Sequence, residues 1–458
     1  MKTKVNRQMD IVIIGGGKVG EILCQELALE NNNVVLIEAN SERLNRIINK
    51  NDITGLVGDG ADYDNLVEAG VEQCDMFIAV TPEDETNIIS SIIAKQLGAK
   101  YTIARVRNPK YTNHIEFVRD SLGIDLVINP EMVAARYITK SIEFPHSLSI
   151  EQFGKGRVNL VELEIKAGSP LVDQSLNQFR NEYGEVLICA LTHDKQTIIP
   201  SGQSVLRVGD RVYVTGSRED LANFYFKAGY REEKTKSVLI IGGGRVTYYT
   251  LHLLSKMDID IKVIELNEER ALDLSHRFPQ VVVIKGDGME QELLLEERIE
   301  SFDAVLSLTG IDEENIINSM YALSLGINKV MTKVSRTDLL KILGDSDLQA
   351  IVTPKRLITN KILRYVRSLR NATASNVEAL IRIADNQVET LQFLVKESSR
   401  VVNIKLKELN TKDNLLIAYI IRDSQLIYPS GEDVILAGDH VLIVTKHKAF
   451  NDIDDILR

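Results

Sequence analysis

The sequence predicts an α/β chain with two Rossmann-like, doubly wound parallel-sheet domains, each followed by a small α+β domain. Three observations predict this. Short apolar runs alternate with amphipathic segments of helical length, a glycine-rich turn occurs twice, and the motifs after each turn recur at a nearly constant offset. Gly242 follows Gly15 by 227 residues, as Glu265 follows Glu38. Thr309 and Asn315 follow Thr81 and Asn87 by 228. Pro429 and Gly431 follow Pro200 and Gly202 by 229, as do Gly438 and Asp439 after Gly209 and Asp210.

The elements are read in order. Ile11–Ile14, Val34–Ile37, Ile53–Val57, Met76–Val80, Thr102–Val106 and Leu126–Ile128 are apolar runs of strand length, each followed within three residues by Gly, Pro, Asp or Asn. Val19–Glu30 and Glu83–Gln96 have helical pattern between them, and Glu131–Glu143 reads as a further helix stopped by Pro145. The texture then changes to short strands at Asn159–Ile165, Val186–Leu191, Thr197–Ile199 and Arg211–Thr215, with a helix at Ser175–Glu182. Domains are therefore placed at residues 1–145 and 146–230, then, after a charged joint at 231–236, at 237–373 and 374–458.

Composition narrows the function classes. The net charge of −11 leaves no basic stripe for nucleic-acid phosphates. No apolar run approaches the roughly 18 residues of a spanning helix, and the first residues lack the apolar core of a signal peptide. Cys24, Cys74 and Cys189 show no paired spacing and read as reduced, buried residues of a cytosolic protein.

The chemistry-bearing positions lie where strands end. Gly15 permits a tight turn out of the first strand, Gly17 lets backbone approach a pyrophosphate, and Gly20 lets the following helix sit close to the sheet. Glu38 closes the second strand 18 residues after Gly20, where an acid accepts hydrogen bonds from ribose hydroxyls. Its charge would repel a 2′-phosphate, which favours NAD(H) or ATP/ADP over NADP(H). Asp59 lies in Gly58-Asp59-Gly60, either a ligand contact or a plain turn. Thr81 and Asp84 follow the fourth strand, as ligand contacts or helix caps. Arg105 ends the fifth strand, to reach a pyrophosphate or to pair with one of these acids. Lys18 either leans over the phosphates or is solvated.

This order of motifs resembles an RCK domain pair: Gly-x-Gly-x-x-Gly, strand-end acid, Gly58-Asp59, then Thr81, Asp84, Glu85 and Asn87, then Pro200, Gly202, Gly209 and Asp210. The larger part is similar to the TrkA-N family and the smaller to the TrkA-C family. Two such pairs in tandem resemble the cytosolic regulatory subunits of Trk-type bacterial potassium uptake systems. The resemblance implies a homo-oligomer, a dimer or tetramer, held peripherally on the inner face of the cell membrane by the potassium transporter's membrane subunit. It also implies gating by NAD(H) or ATP/ADP and no catalysis. Carried over by position, the site is Gly15, Gly16, Gly17, Lys18, Val19, Gly20, Glu38, Asp59, Thr81, Pro82 and Arg105. In the second half it is Gly242, Gly243, Gly244, Arg245, Val246, Glu265, Asp287, Thr309 and Lys333.

The second half departs at Thr247, which replaces the third glycine with a β-branched residue expected to crowd helix against strand. Binding there is expected to be weaker or to suit a different nucleotide. The helix Met132–Ile142 is a candidate subunit contact, or else core within one lobe. A dehydrogenase is the rival reading, but the seven histidines (His114, His146, His193, His252, His276, His440 and His447) neither cluster nor recur between halves. A separate effector site in the small domains would draw on His193, Asp194 and Asp423, whose turn positions equally suit solvated residues.

Overall fold

The computed structural model describes residues 8–112, 119, 121–144, 147, 149–194, 196–230, 235–327, 329–336, 339, 348, 350–372, 377–384, 387–448 and 450–458. Pro145, His114, His146, Ser375 and the joint at 231–234 lie outside them. Ile11–Ile14 and Met76–Ala79 are almost fully buried, as strands covered on both faces must be. They form the centre of a parallel sheet made of β1 (Asp10–Ile14), β2 (Asn33–Glu38), β3 (Thr54–Val57), β4 (Met76–Ala79), β5 (Tyr101–Arg105) and β6 (Leu126–Ile128). The order is β3-β2-β1-β4-β5-β6. Winding reverses between β1 and β4, which opens a crevice at their carboxyl ends.

A five-stranded sheet follows, with β7 (Ser149–Phe153), β8 (Val158–Glu164), β9 (Leu187–His193), β10 (Gln196–Ile198) and β11 (Arg211–Gly216) in the order β10-β9-β11-β8-β7. All its pairings are antiparallel. The second half repeats both sheets. Its parallel sheet comprises β12 (Ser237–Ile241), β13 (Asp260–Glu265), β14 (Val282–Lys285), β15 (Ala304–Ser307), β16 (Lys329–Lys333) and β17 (Ala350–Val352), ordered β14-β13-β12-β15-β16-β17. Its antiparallel sheet comprises β18 (Val377–Ile383), β19 (Val388–Leu394), β20 (Leu415–Arg422), β21 (Gln425–Ile427) and β22 (His440–Thr445), ordered β18-β19-β22-β20-β21.

The halves exchange helices. The crossover helix Pro130–Glu143 is capped by Asn129, whose side chain accepts from the Met132 amide. It buries Ala134, Ile138 and Ile142, spaced four apart, in the core of the second half with Val238, Ile240 and Leu251. The second crossover helix, Pro354–Ala372, places Ile358, Ile362, Leu363 and Val366 in the first-half core with Ile11, Ile13, Leu23 and Leu27. Arg367 on this helix is ion-paired with Glu30 of the first half. Within this chain the helix Met132–Ile142 therefore packs in the core of the other half and not of its own lobe, and so joins the two halves. Full burial of each branched side chain contributes roughly 1.5–3 kcal/mol.

The two antiparallel sheets also share a core. Phe153, Val158, Leu160 and Tyr213 pack with Ile381, Val388, Ala418 and Tyr419. The buried Tyr419 hydroxyl donates to Thr215 O at 2.7 Å, and Gln392 accepts from the Gly154 amide at 2.9 Å. Strand β7 and the helix Arg218–Lys227 were not anticipated from sequence: β7 breaks the apolar alternation at Glu151-Gln152 and borrows its apolar neighbours from β8. The anticipated helix Ser175–Glu182 is found at Leu176–Tyr183 with Ser175 in a capping box. The second half has only the short turn Leu406–Glu408 in the corresponding place.

Corresponding ion pairs differ in kind. Asp210 is 1% exposed and lies 2.6 Å from His193 Nδ1. Asp439, equally buried, instead receives two guanidinium bonds of 2.8 Å from Arg422. His193, Asp194 and Asp423 thus serve tight turns with positive φ at Asp194 and Asp423 and a buried carboxylate, and no cluster of three metal-binding side chains occurs among the described residues. All three cysteines are buried, and burial pushes each thiol up to about 12.

Lys329 fastens the first half to the second parallel sheet. It is 4% exposed and donates to Ser147 O, in the segment between the first crossover helix and β7, at 2.9 Å. Burial lowers its ammonium from 10.5 to about 7. Between those values the unfolded chain holds a proton that the folded chain has released, so this group's contribution to stability rises with pH through that window. Thermal unfolding should therefore show the wild type gaining on Lys329→Met between pH 7 and pH 9, by about 2 kcal/mol; parallel curves would contradict it.

Candidate nucleotide site

Both glycine loops are shaped by contacts that leave no room for side chains. Gly15 has φ +92°, and a Cβ there would lie 2.9 Å from Thr81 N. Gly242 repeats this with φ +99° against Thr309. A Cβ on Gly20 would lie 2.0 Å from Gly15 O, so the helix Lys18–Leu29 approaches the loop as closely as its sequence suggests. Gly17 and Gly244 have no atom within 4 Å of that position, and each is the N-cap of a helix. An open face above free first-turn amides is the cradle a pyrophosphate needs.

Thr247 fits where the third glycine was expected. Its hydroxyl donates a short hydrogen bond to Gly242 O, the carbonyl that corresponds to Gly15 O. The expected crowding is thus converted into a bond that fastens the second loop to its own helix. The two loops are not interchangeable.

Glu38 is 7% exposed and holds the first loop in place. Its Oε2 accepts from the Gly16 amide at 2.6 Å, and its Oε1 accepts from the Asn40 amide at 2.9 Å. Glu265 does the same for Gly243 and Asn267, at 2.6 and 2.7 Å. Sequence reasoning missed Arg43, 3.3 Å from Glu38, and Arg270, 3.7 Å from Glu265. The signal was present, because Arg43 and Arg270 obey the same 227-residue offset as the acids. A guanidinium beside the carboxylate weakens the argument that Glu38 alone would repel a 2′-phosphate.

Asp59 and Asp287 each open a turn, accepting from the Ala61 and Met289 amides at 2.9 Å. The Thr81–Asn87 segment is a clasp. Asn87 Oδ1 accepts from Thr81 N at 2.8 Å while its Nδ2 donates to Thr81 O and Arg105 O. Asn315 repeats these bonds with Thr309 and Lys333. Asp84 does not cap its helix; its Oδ2 accepts from the Arg107 and Asn108 amides at 2.9 and 2.7 Å. Asp312 likewise holds Ser335 and Arg336.

Arg105 donates from Nη1 to Thr81 O at 2.9 Å, and its buried Nε has no protein partner. It borders a cleft of about 240 Å³ between the halves, lined by Gly17, Lys18, Val19, Val80, Pro82, Arg105, Arg107, Pro130 and Glu131. Val246, Lys333, Ser335, Pro354 and Lys355 close the other side. Burial, then the neighbouring Arg107, holds the Arg105 guanidinium below its ordinary value. Burial also lowers Lys333 and Lys355, and Lys18, Arg105 and Arg107 lower Lys355 further. Cations that depress one another in a confined space favour an anion between them. Arg107 is partly neutralised by Glu131, 2.7 Å from its Nε. Of the positions carried over, Lys18 and Arg245 are exposed at the loop ends, with Lys18 3.9 Å from Glu21. Arg107, Glu131 and Lys355 were not foreseen: Arg107 and Glu131 pair across the ends of neighbouring first-half strands, and Lys355 reaches the cleft only when the halves pack.

A duplicated dinucleotide fold, with each half covering the other's sheet, is the class of protein that these features define. The TrkA-N domain model matches residues 11–130 and 238–354, and the TrkA-C domain model matches 160–227 and 391–458. The chain belongs to the TrkA family, with both domains present twice. A relative from Archaeoglobus fulgidus, "Trk system potassium uptake protein TrkA homolog", is 30% identical over 98% of this chain and 100% of its own. The "Trk system potassium uptake protein TrkA" of Halomonas elongata is also 30% identical, over 98% and 99%. Among solved structures, the GsuK RCK domain superposes with a TM-score of 0.63 at 16% identity, over 96% of this chain and 92% of that one. The GsuK channel bound to NAD gives 0.62 at 16% identity, over 96% and 77%. Among the described residues no helix is long and apolar enough to cross a membrane.

The two third-glycine positions should respond differently to substitution. Gly20→Ala forces a Cβ onto Gly15 O and is expected to destabilise the first half by about 3 kcal/mol or more, whereas Thr247→Ala removes one hydrogen bond at a cost of about 1 kcal/mol. Thermal unfolding of both variants checks this; equal losses would contradict it.

Proposed function

We propose that this chain is a regulatory subunit of a potassium uptake system and that its first half binds NAD(H) or ATP/ADP. The potassium part is supported by relatives named as Trk potassium uptake proteins, which align along essentially the whole chain. The nucleotide part is carried by one observation: the open face at Gly17, above a helix N-terminus, adjoins the Gly16 amide held by Glu38 and shares a cleft with Arg105. The amides of residues 17–20 would hold a pyrophosphate, Glu38 the ribose hydroxyls, and Arg105 with Lys18 the remaining negative charge. The GsuK channel, whose structure with NAD shares the fold, fits this assignment.

The protein is read as a binding module and not an enzyme. The cleft gathers Lys18, Arg105, Arg107, Lys333 and Lys355 with Glu131 and apolar side chains, a lining that holds negative charge, while the described histidines of the small domains are engaged elsewhere. His193 pairs with Asp210, His440 with Glu378, and His447 with Asp413 O. The partner is the membrane subunit of a Trk-type transporter, which the chain joins as a homo-oligomer at the inner membrane face. A ligand that touches the first loop and the Lys333–Lys355 side of the cleft shifts the angle between halves to the extent that it binds one arrangement better. The second half, with its loop fastened by Thr247, binds more weakly or takes a different nucleotide.

Calorimetry of NADH, NAD+, ATP and ADP with the intact protein tests this reading. Glu38→Ala should weaken the tightest ligand roughly tenfold or more while Glu265→Ala leaves it nearly unchanged. No binding of any of the four at millimolar concentration would end the sensor reading.

A further inference from the structure

The helix Arg245–Leu254 begins at the second glycine loop, with Gly244 as its N-cap. One turn inside it, Tyr249 is 1% exposed, and its phenol reaches out of the second half altogether. The hydroxyl donates to Arg107 O at 3.1 Å and accepts from Asn129 Nδ2 at 2.9 Å. Arg107 lies two residues beyond Arg105, its amide is held by Asp84, and its side chain borders the cleft. Asn129 caps the first crossover helix through the Met132 amide at 2.8 Å. One side chain from the second loop's helix is thereby bonded both to the loop that carries the first site's cations and to the start of the helix that joins the halves.

The other half has no such device at the corresponding place. The residue 227 positions earlier is Ile22, which has no hydroxyl to offer, and Ser335 stands where Arg107 does. The Tyr249 ring packs against Tyr248 with centroids 5.2 Å apart, so the phenol oxygen follows its helix. Hydrogen bonds near 3 Å weaken within a few tenths of an ångström of stretch. A shift at Gly244 or Arg245 is therefore either passed to Arg107 and Asn129 or breaks buried bonds.

We propose that Tyr249 is a positioning residue that couples the second glycine loop to the first nucleotide site. The proposal rests on the nucleotide reading above and adds the route by which the two halves sense each other. The coupling is reciprocal: a ligand on either loop changes the affinity of the other by the same factor.

The test titrates NADH into the full chain with and without saturating ADP, for the wild type and Tyr249→Phe, which keeps the ring and removes the hydroxyl. In the wild type ADP should change the NADH affinity by about 5- to 150-fold, and in Tyr249→Phe by less than about twofold. Each nucleotide alone should bind the variant within about threefold of the wild type, an invariance that a general loss of structure would not leave. Amide hydrogen exchange over residues 105–108 should be faster in the ligand-free variant. A coupling factor unchanged by Tyr249→Phe, or a factor of one in the wild type, overturns the proposal and leaves nucleotide binding standing. Failure of NADH and ADP to bind the wild type overturns the coupling, and failure of NAD+ and ATP as well ends the sensor reading with it.

Discussion

The reciprocal exchange of the two crossover helices is the interaction on which the rest depends. Each parallel sheet has one layer completed by a helix of the other half, so neither half buries its own core alone. This exchange brings the carboxyl ends of the two sheets together and creates a cleft with one glycine loop on its first wall and Lys333 and Lys355 on its second. The shared core of the small sheets closes the far end of the molecule. A ligand in the cleft therefore acts on a joint that carries much of the apolar burial, and small displacements there are transmitted because packed interiors do not deform gradually.

The site is built largely from backbone, and the acidic residues around it act first as fasteners. Glu38 and Asp84 satisfy loop amides, and Asn87 ties the end of β4 to the end of β5. These bonds place the open glycine face before any ligand arrives, so less ordering remains to be done on binding. Preorganisation accounts for the repetition of the same bonds at Glu265, Asp312 and Asn315, where the loop itself has changed.

Sequence alone revealed the parallel-sheet elements because buried β-branched runs such as Ile11–Ile14 and glycine turns obey local rules. The role of Gly20 and the strand-end place of Glu38 were legible for the same reason, whereas the bond from the Gly16 amide to Glu38 was not read from sequence. What local pattern could not show was anything contributed by the other half. The helix Met132–Ile142 displayed an apolar face whose partners lie in the other half of the chain, at Val238 and Leu251. Strand β7 was hidden because the adjacent Glu151 and Gln152 break the alternation that marks a half-buried strand. The bond from Thr247 to Gly242 O was hidden because substitution of a glycine signals steric conflict and not a hydroxyl finding a carbonyl. Arg43 was visible in the offset, but its proximity to Glu38 depends on the turn that Asn40 caps.

The same architecture could be assembled from two identical chains, and covalent duplication makes a difference to how it can change. In a pair of identical subunits every mutation is installed twice and must suit both copies at once. Here Thr247, Tyr249 and Arg422 occupy one half, while Gly20, Ile22 and His193 occupy the other. One gene thus encodes an obligate pair of unlike partners in fixed proportion, free to specialise separately without the sorting problem that two independently made subunits would face.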